Sequence, residues 1–303
     1  MNEKSLKGWL SNENITRRIV MLNGGLGNQA FQYIFMRWLE IKTNSSCVID
    51  DSAFYGENID FNGWELERIF GVRPAKLSEF VSPGKWQDML WEKERGRGIA
   101  QQLLDDGNQI AMVASTNDFA FSGNIYYTGT YEPNVLLAKG LWYFHGYWID
   151  KAYFYEIKDI ILNEFSFPVL TDSRNMQYRD DILNSNSIGI HIRRGDFIKW
   201  NIEAPMDFYQ KAIAYIDERE SQPTYFVFSD DLPWCQENLA AIGLDGKRVV
   251  FVDGNSGLTA YIDMQLMSYC KHLIIDRSSF AYLAALLNQR REIVISSTPS
   301  FKV

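Results

Sequence analysis

The densest chemistry in the chain lies in His191, Arg193, Arg194 and Asp196, which end the run Ser187 to Phe197, SIGIHIRRGDF. Its apolar half predicts a β-strand, and ligands of open α/β sheets bind where strands end. Alternation along the strand puts His191 and Arg193 on one face and Arg194 on the other. Adjacent guanidiniums are costly to desolvate unless paired. Two pairings fit: an internal one between Arg194 and Asp196, or an external one with a diphosphate, whose oxygens match a guanidinium through two parallel hydrogen bonds.

A second candidate is GGLGNQAFQY, Gly24 to Tyr33, after the apolar run Arg18 to Leu22. Gly25-x-Gly27-x-x-Ala30 has the spacing of a dinucleotide-binding turn, and Asp50 follows where a ribose-binding acid would sit. Taken alone, this predicts an NAD-dependent oxidoreductase. A third is FSDD, Phe228 to Asp231: adjacent carboxylates that could hold a metal, or cap the next helix with Pro233 in its first turn. Capping and site ordering is favoured, because paired arginines can neutralise a leaving diphosphate in place of an ion. No metal and no cofactor is expected. Cys47, Cys235 and Cys270 form no CxxC, which fits a reducing cytosol without a zinc site. His145 and His272 read as packed histidines. The aromatic run Trp142 to Trp148, with Tyr126, Tyr127 and Tyr131, is either core or a sugar-stacking wall.

The elements that must position these residues follow an α/β rhythm. Strands are predicted at RIVML and CVID, with an amphipathic helix between them carrying Phe31, Ile34, Phe35, Trp38 and Leu39 inward. Residues 51–124 are less regular, and NIYYTGTY returns to strand character. A polar stretch around TDSRNMQYRDD suggests a boundary, giving domains of 1–170 and 171–303. Beyond it SIGIHIRR, TYFVFSDD, RVVFVD, HLIID and REIVIS alternate with helices, as in a Rossmann-like half.

The net charge of −8 argues against a general nucleic-acid binder, which needs a basic surface. The first residues, MNEKSLKGWLSNENITRR, contain no apolar signal segment, and no run approaches the ~20 apolar residues of a membrane span. A soluble, cytoplasmic protein with at most peripheral membrane contact is expected.

HIRRGDF together with GGLGNQAFQY closely resembles the bacterial and animal α-1,2-fucosyltransferases, glycosyltransferase family 11. The resemblance continues through GYWIDKAYF, MDFYQKAI, YFVFSDDLPWCQENL and CKHLIIDRSSFAYLAALL, in the family's order. The Arg-rich motif is also similar to that of α-1,6- and protein O-fucosyltransferases. The resemblance implies a GT-B-like α/β fold, two Rossmann-like domains facing a cleft, with residues 1–170 on the acceptor side and 171–303 binding GDP-fucose.

It also implies roles. His191 would lie near the donor's nucleoside, and Arg193 would bind the β-phosphate and stabilise its growing charge. Arg194 and Asp196 would support that site, with Asp196 also the best candidate base and Glu203 behind it. Asn28, on the loop of Gly25 and Gly27, would approach the diphosphate and the acceptor hydroxyl. Asp263 matches an acid that contacts guanine, and Ser278 and Ser279 match phosphate-binding serines; a helix N-terminus there would attract an anion independently. The chain departs from the family at Arg277, where Asn is usual, and at Tyr282-Leu283, which replace a Trp pair. Arg277 is either a phosphate contact or, more economically, a salt bridge with Asp276. The implied activity is inverting transfer of L-fucose from GDP-β-L-fucose to the 2-hydroxyl of a terminal β-galactoside. The competing expectations are the oxidoreductase and a nucleotide-sugar-binding homologue without activity.

Overall fold

The computed structural model describes residues 16–56, 61–127 and 140–301. The polar leader and Tyr131 lie outside the described residues. The chain divides into two compact units, 1–166 and 167–303.

The first unit is built on a parallel sheet of β1 (Arg17–Met21), β2 (Val48–Asp50), β3 (Ile110–Ala114), β4 (Asn124–Tyr127) and β5 (Leu141–His145), in the order β2-β1-β5-β3-β4. Its helices are α1 (Leu26–Thr43), α2 (Glu65–Phe70), α3 (Pro83–Glu94), α4 (Ile99–Asp105), α5 (Lys151–Glu156) and α6 (Lys158–Glu164). The expected α1 forms, and it ends at Asn44, whose left-handed φ of 49° closes the last turn. Its apolar stripe is buried, and Phe35 stacks flat on Trp148 at 4.0 Å. Burying one such ring stabilises by ~1.5–3 kcal/mol.

The aromatic run from Trp142 resolves into strand β5, with Trp148 just beyond it. Because β5 lies between β1 and β3 and is covered on both faces, Tyr143 and Phe144 are both buried, as parallel strands require. Tyr126 and Tyr127 stand exposed on the edge strand β4 instead. The irregular middle contributes α3, capped by Ser82 with Pro83 in its first turn, and α4. Their Trp86, Met89, Leu90, Ile99 and Leu103 pack with Ile19, Val48 and Met112 of the sheet.

The second unit carries α7 (Ser173–Leu183), β6 (Ser187–Ile192), α8 (Gly195–Trp200), α9 (Met206–Asp217), β7 (Thr224–Ser229), α10 (Leu232–Glu237), α11 (Leu239–Ile242), β8 (Val249–Phe251), α12 (Tyr261–Met267), β9 (His272–Ile275), α13 (Ser279–Leu287) and β10 (Ile293–Ser296). Its sheet is parallel, in the order β10-β9-β6-β7-β8. Counted within the unit, that is the Rossmann order, with the strand order reversing between β6 and β9. Helix α13 is apolar almost all round, as a helix enclosed by core must be, and Ala281 to Leu287 are buried. Tyr282, at the place of the family's Trp pair, stacks on Phe301 at 4.2 Å, while Leu283 is fully buried, so both fill core.

The polar stretch read as a boundary is helix α7. Asp172 caps it by accepting from Asn175 N at 2.9 Å. It looks like linker because Asn175 and Ile182 are its buried residues and most of the rest face water.

Candidate active site

The ends of β6 and β9 meet at the point where strand order reverses, the crevice where doubly wound sheets bind ligands. Asp276 joins them. Its carboxylate is fully buried, lies 3.0 Å from His191 Nδ1, and accepts from Arg193 N at 2.6 Å and Ser278 N at 3.0 Å. One side chain thus fixes both strand ends and the start of α13. Asp276 is turned inward to these partners while Arg277 is exposed, and among the described residues no ion pair joins the two. The expected Arg277–Asp276 salt bridge is corrected accordingly.

The strand stops at Ile192, so Arg193 and Arg194 belong to the turn into α8 rather than to alternating faces. Arg193 Nε donates to Asp196 Oδ1 at 2.8 Å and lies 3.3 Å from Asp230 Oδ2. Arg194 Nε donates to Asp231 Oδ2 at 3.0 Å, and its guanidinium sits 3.5 Å over the Trp234 ring. The internal Arg194–Asp196 pair is therefore replaced by Arg193–Asp196 and Arg194–Asp231. Both guanidiniums are held through Nε. Among the described residues no hydrogen bond is made by their terminal nitrogens, the pair that matches two phosphate oxygens. Burial works against the charge of Arg193. The Asp196 hydrogen bond and the charges of Asp230, Asp196 and Asp276 outweigh it and raise its pKa, so the cation is secure.

The FSDD carboxylates take the ordering and capping roles. Asp230 accepts from Arg194 N at 2.8 Å and Gly195 N at 3.1 Å. A Cβ on Gly195 would stand 2.7 Å from Asp230 Oδ2, so glycine is what lets this carboxylate approach. Asp231 caps α10 by accepting from Trp234 N at 3.2 Å. Among the described residues, the grouping that could converge on a metal ion is Glu220, His272 and Glu292. It lies at the opposite, amino-terminal end of β9, and Lys271 Nζ already stands 2.9 Å from Glu220 and 3.4 Å from Glu292.

Ser278 begins α13 without spending its side chain on a capping bond, and Ser279 follows in the first turn. Asp263 lies on α12, accepts from Asn255 Nδ2 at 2.8 Å, and has its pKa pushed up to about 7. Burial is the main cause. The Asn255 bond and the nearby His191 oppose it, and the Asp253 charge adds to it. Glu203, beyond α8, has a buried Oε2 without a hydrogen-bond partner.

In the first unit the glycine-rich loop is organised differently from a nicotinamide fingerprint. The residue with positive φ is Gly24, at 75°, and a Cβ there would meet Asn28 Nδ2 at 2.7 Å. Gly25 is the N-cap of α1, and Gly27 lies buried in its first turn. Asn28, half-buried, is therefore set against Gly24. Two buried glutamines hold the loop. Gln29 Nε2 donates to Gly24 O and Gly63 O, at 2.8 and 2.9 Å, and Gln32 Nε2 donates to Asn23 Oδ1 and Gly146 O, at 2.8 and 3.1 Å. Sequence reasoning missed them. Their signal is two amides three apart on an otherwise apolar stripe.

Asp50 is not available to a ribose. It is buried, and it accepts from Tyr143 Oη at 2.5 Å and Ser52 N at 2.9 Å. His145 lies 3.2 Å from Asp118, with burial the main cause of its lowered pKa, and His272 is fully buried.

Residues 129–300 match the family described as glycosyl transferase family 11. An α-1,2-colitosyltransferase of Escherichia coli is 29% identical over 94% of this chain and 92% of its own length. The O-antigen biosynthesis glycosyltransferase WbnK of Escherichia coli is 27% identical over 91% of this chain and 92% of its own. The galactoside alpha-(1,2)-fucosyltransferase 2 of Pongo pygmaeus is 29% identical over 47% of this chain and 44% of its own. Among solved structures, NodZ alpha-1,6-fucosyltransferase soaked with GDP-fucose superposes with a TM-score of 0.52 at 15% identity, covering 90% of this chain and 92% of that one. A mutant of Arabidopsis thaliana FUT1 in complex with GDP gives 0.51 at 13%, covering 95% and 72%. At those identities the likeness is one of fold: α/β with two parallel sheets, GT-B-like.

Proposed function

Because this chain belongs to glycosyl transferase family 11, we propose that it transfers L-fucose from GDP-β-L-fucose to the 2-hydroxyl of a terminal β-galactoside, with inversion. The observation that carries this reading is the pair Arg193 and Arg194, hydrogen-bonded to carboxylates through Nε where the strand order reverses, with no hydrogen bond from their terminal nitrogens among the described residues. A diphosphate suits that pair. As the glycosidic bond lengthens, the sugar takes on oxocarbenium character and negative charge grows on the β-phosphate. A cation already in place stabilises that charge without reorganising, usually the largest single catalytic contribution.

The other roles follow. Ser278, Ser279 and the start of α13 offer further donors to phosphate. Asp263 accepts from the N–H groups of guanine, and His191, braced by Asp276, lies beside the nucleoside. Asp196 first orients Arg193. Its second oxygen is the candidate acceptor of the 2-hydroxyl proton, and Glu203 is the alternative. Asn28 acts on the acceptor side with Gly25 and Gly27. Asp230 and Asp231 are neutralised by the arginines, which supports transfer without a metal ion. No described helix is long and apolar enough to cross a membrane, which is consistent with the proposed cytoplasmic setting.

A second reading concerns the sugar alone. Relatives that match almost the whole chain include a colitosyltransferase, whereas the animal fucosyltransferase match covers about half of it. Colitose is fucose without its 3-hydroxyl, so one polar contact could decide between them. The deciding experiment follows GDP release from GDP-fucose and from GDP-colitose over a panel of galactosides. Acceptor-dependent release from GDP-fucose with an α-1,2-linked product supports the first reading. Release only from the colitosyl donor replaces it, and release from neither leaves a binding homologue.

A further inference from the structure

Asp263 does not stand alone on α12. Asn255 Nδ2 donates to its Oδ1 at 2.8 Å, and Asn255 is itself locked into a reciprocal amide pair with Asn175. Asn175 Nδ2 donates to Asn255 Oδ1 at 2.9 Å, and Asn255 Nδ2 donates back to Asn175 Oδ1 at 2.9 Å. Asn175 is buried and is gripped by the α7 cap: its N and Nδ2 donate to the two oxygens of Asp172, at 2.9 and 3.0 Å. A line of four side chains thus runs from the start of α7, through the loop after β8, to one carboxylate oxygen on α12.

We propose that Asn255 and, behind it, Asn175 are positioning residues for the nucleotide base: they fix one oxygen of Asp263 so that its other oxygen and its negative charge face the N–H groups of guanine. The inference rests on the GDP-donor reading above and deepens it. An amide donor favours the ionised carboxylate, whereas burial favours the neutral acid. The groups around Asp263 act in both directions. His191 from β6 favours ionisation when charged, and Asp253, from the Asn255 loop, opposes it. Asp253 is in turn partnered by Arg174 at 3.4 Å and Tyr178 at 3.0 Å, both from α7. Tyr261 is the other titratable side chain of α12. With the carboxylate poised near about 7, loss of the Asn255 bond moves its ionisation to higher pH. Guanine, which offers donors to a carboxylate, then loses its advantage over adenine.

The experiment is calorimetric titration of the full chain with GDP and with ADP, at pH values either side of about 7, for wild type, Asn255→Ala and Asn175→Ala. In the wild type, GDP affinity rises with pH through that region and exceeds that of ADP. In Asn255→Ala the rise moves up by about one pH unit, GDP binds roughly tenfold weaker near neutrality, and the preference over ADP shrinks, the size expected for one hydrogen bond to a charged group. Asn175→Ala moves all three readouts the same way by less. Circular dichroism establishes that each variant is folded, and Asn175→Ala supplies the test if Asn255→Ala is not. A purely structural role would lower stability without moving the pH profile. If a folded variant keeps the wild-type profile and guanine preference, the inference is overturned alone. If the wild type binds no GDP, the donor reading falls, and this inference with it.

Discussion

At the scale of residues, Nε attachment is the feature that gives the arginines a direction. A guanidinium bonded to a carboxylate through its terminal nitrogens is spent; one bonded through Nε is aimed. Arg193→Ala should therefore lower kcat by at least about a hundredfold, the size of losing one charge-stabilising donor, with an unchanged circular dichroism spectrum. Arg193→Lys should restore only part of it, since an ammonium cannot be held at one nitrogen while presenting two others. The Asp196 pair of variants separates orientation from proton transfer. Asp196→Asn keeps an oxygen for Arg193 Nε, whereas Asp196→Ala keeps none. If Asp196 is mainly an orienting group, steady-state kinetics will place the Asn variant well above the Ala variant. If it is the base, the two will be about equally impaired.

At the scale of elements, short turns decide whether the chemistry is in place. The loop into α1 depends on Gly24, because its φ is 75° and a Cβ there would stand 2.7 Å from Asn28 Nδ2. Gly24→Ala should cost about 1–2 kcal/mol for the left-handed backbone, read as a fall of several degrees in melting temperature for a unit of this size. Gly25→Ala, whose Cβ would meet Phe61 at an ordinary 3.6 Å, should cost less. Spacing had pointed to Gly25 and Gly27, because a glycine fingerprint carries no record of which residue needs positive φ. The turn after β6 was more legible: a strand, two arginines, a glycine and an acid are all visible. Their pairing was not, since Asp230, Asp231 and Asp276 reach it from other strands.

At the scale of the whole molecule, ligand and proton binding should both register as stability. GDP should raise the melting temperature, and NAD should not, because a ligand stabilises the state it binds. A shift with NAD alone would contradict the donor assignment. Asp263 adds a pH dependence of defined sign. Its folded-state pKa, near about 7, stands above the unfolded value of about 3.9. Between these values the unfolded chain binds fewer protons than the folded one, so stability attributable to this group falls as pH rises and levels off above about 7. Wild type and Asp263→Asn should melt alike near about pH 4 and diverge toward neutrality, with the variant higher. Equal melting at neutral pH would mean that the buried charge is compensated elsewhere.

The sequence by itself determined the α/β class, the second unit's strands and helices, the family and the identity of the charged motif. Those signals are local: alternation along a strand, apolar spacing along a helix, and a contiguous run such as HIRRGDF. Only the tertiary structure decided that the Trp142 run feeds a central strand, that Asp50 is consumed by Tyr143, that Asp276 rather than Arg277 braces the site, and that Asn175 stands behind Asp263. Each of these is a contact between segments far apart in the chain, and hydrogen-bond partners are chosen by the folded backbone. Asn175 and Asn255 are 80 positions apart, so local spacing cannot pair them; the packing of α7 against the loop after β8 does.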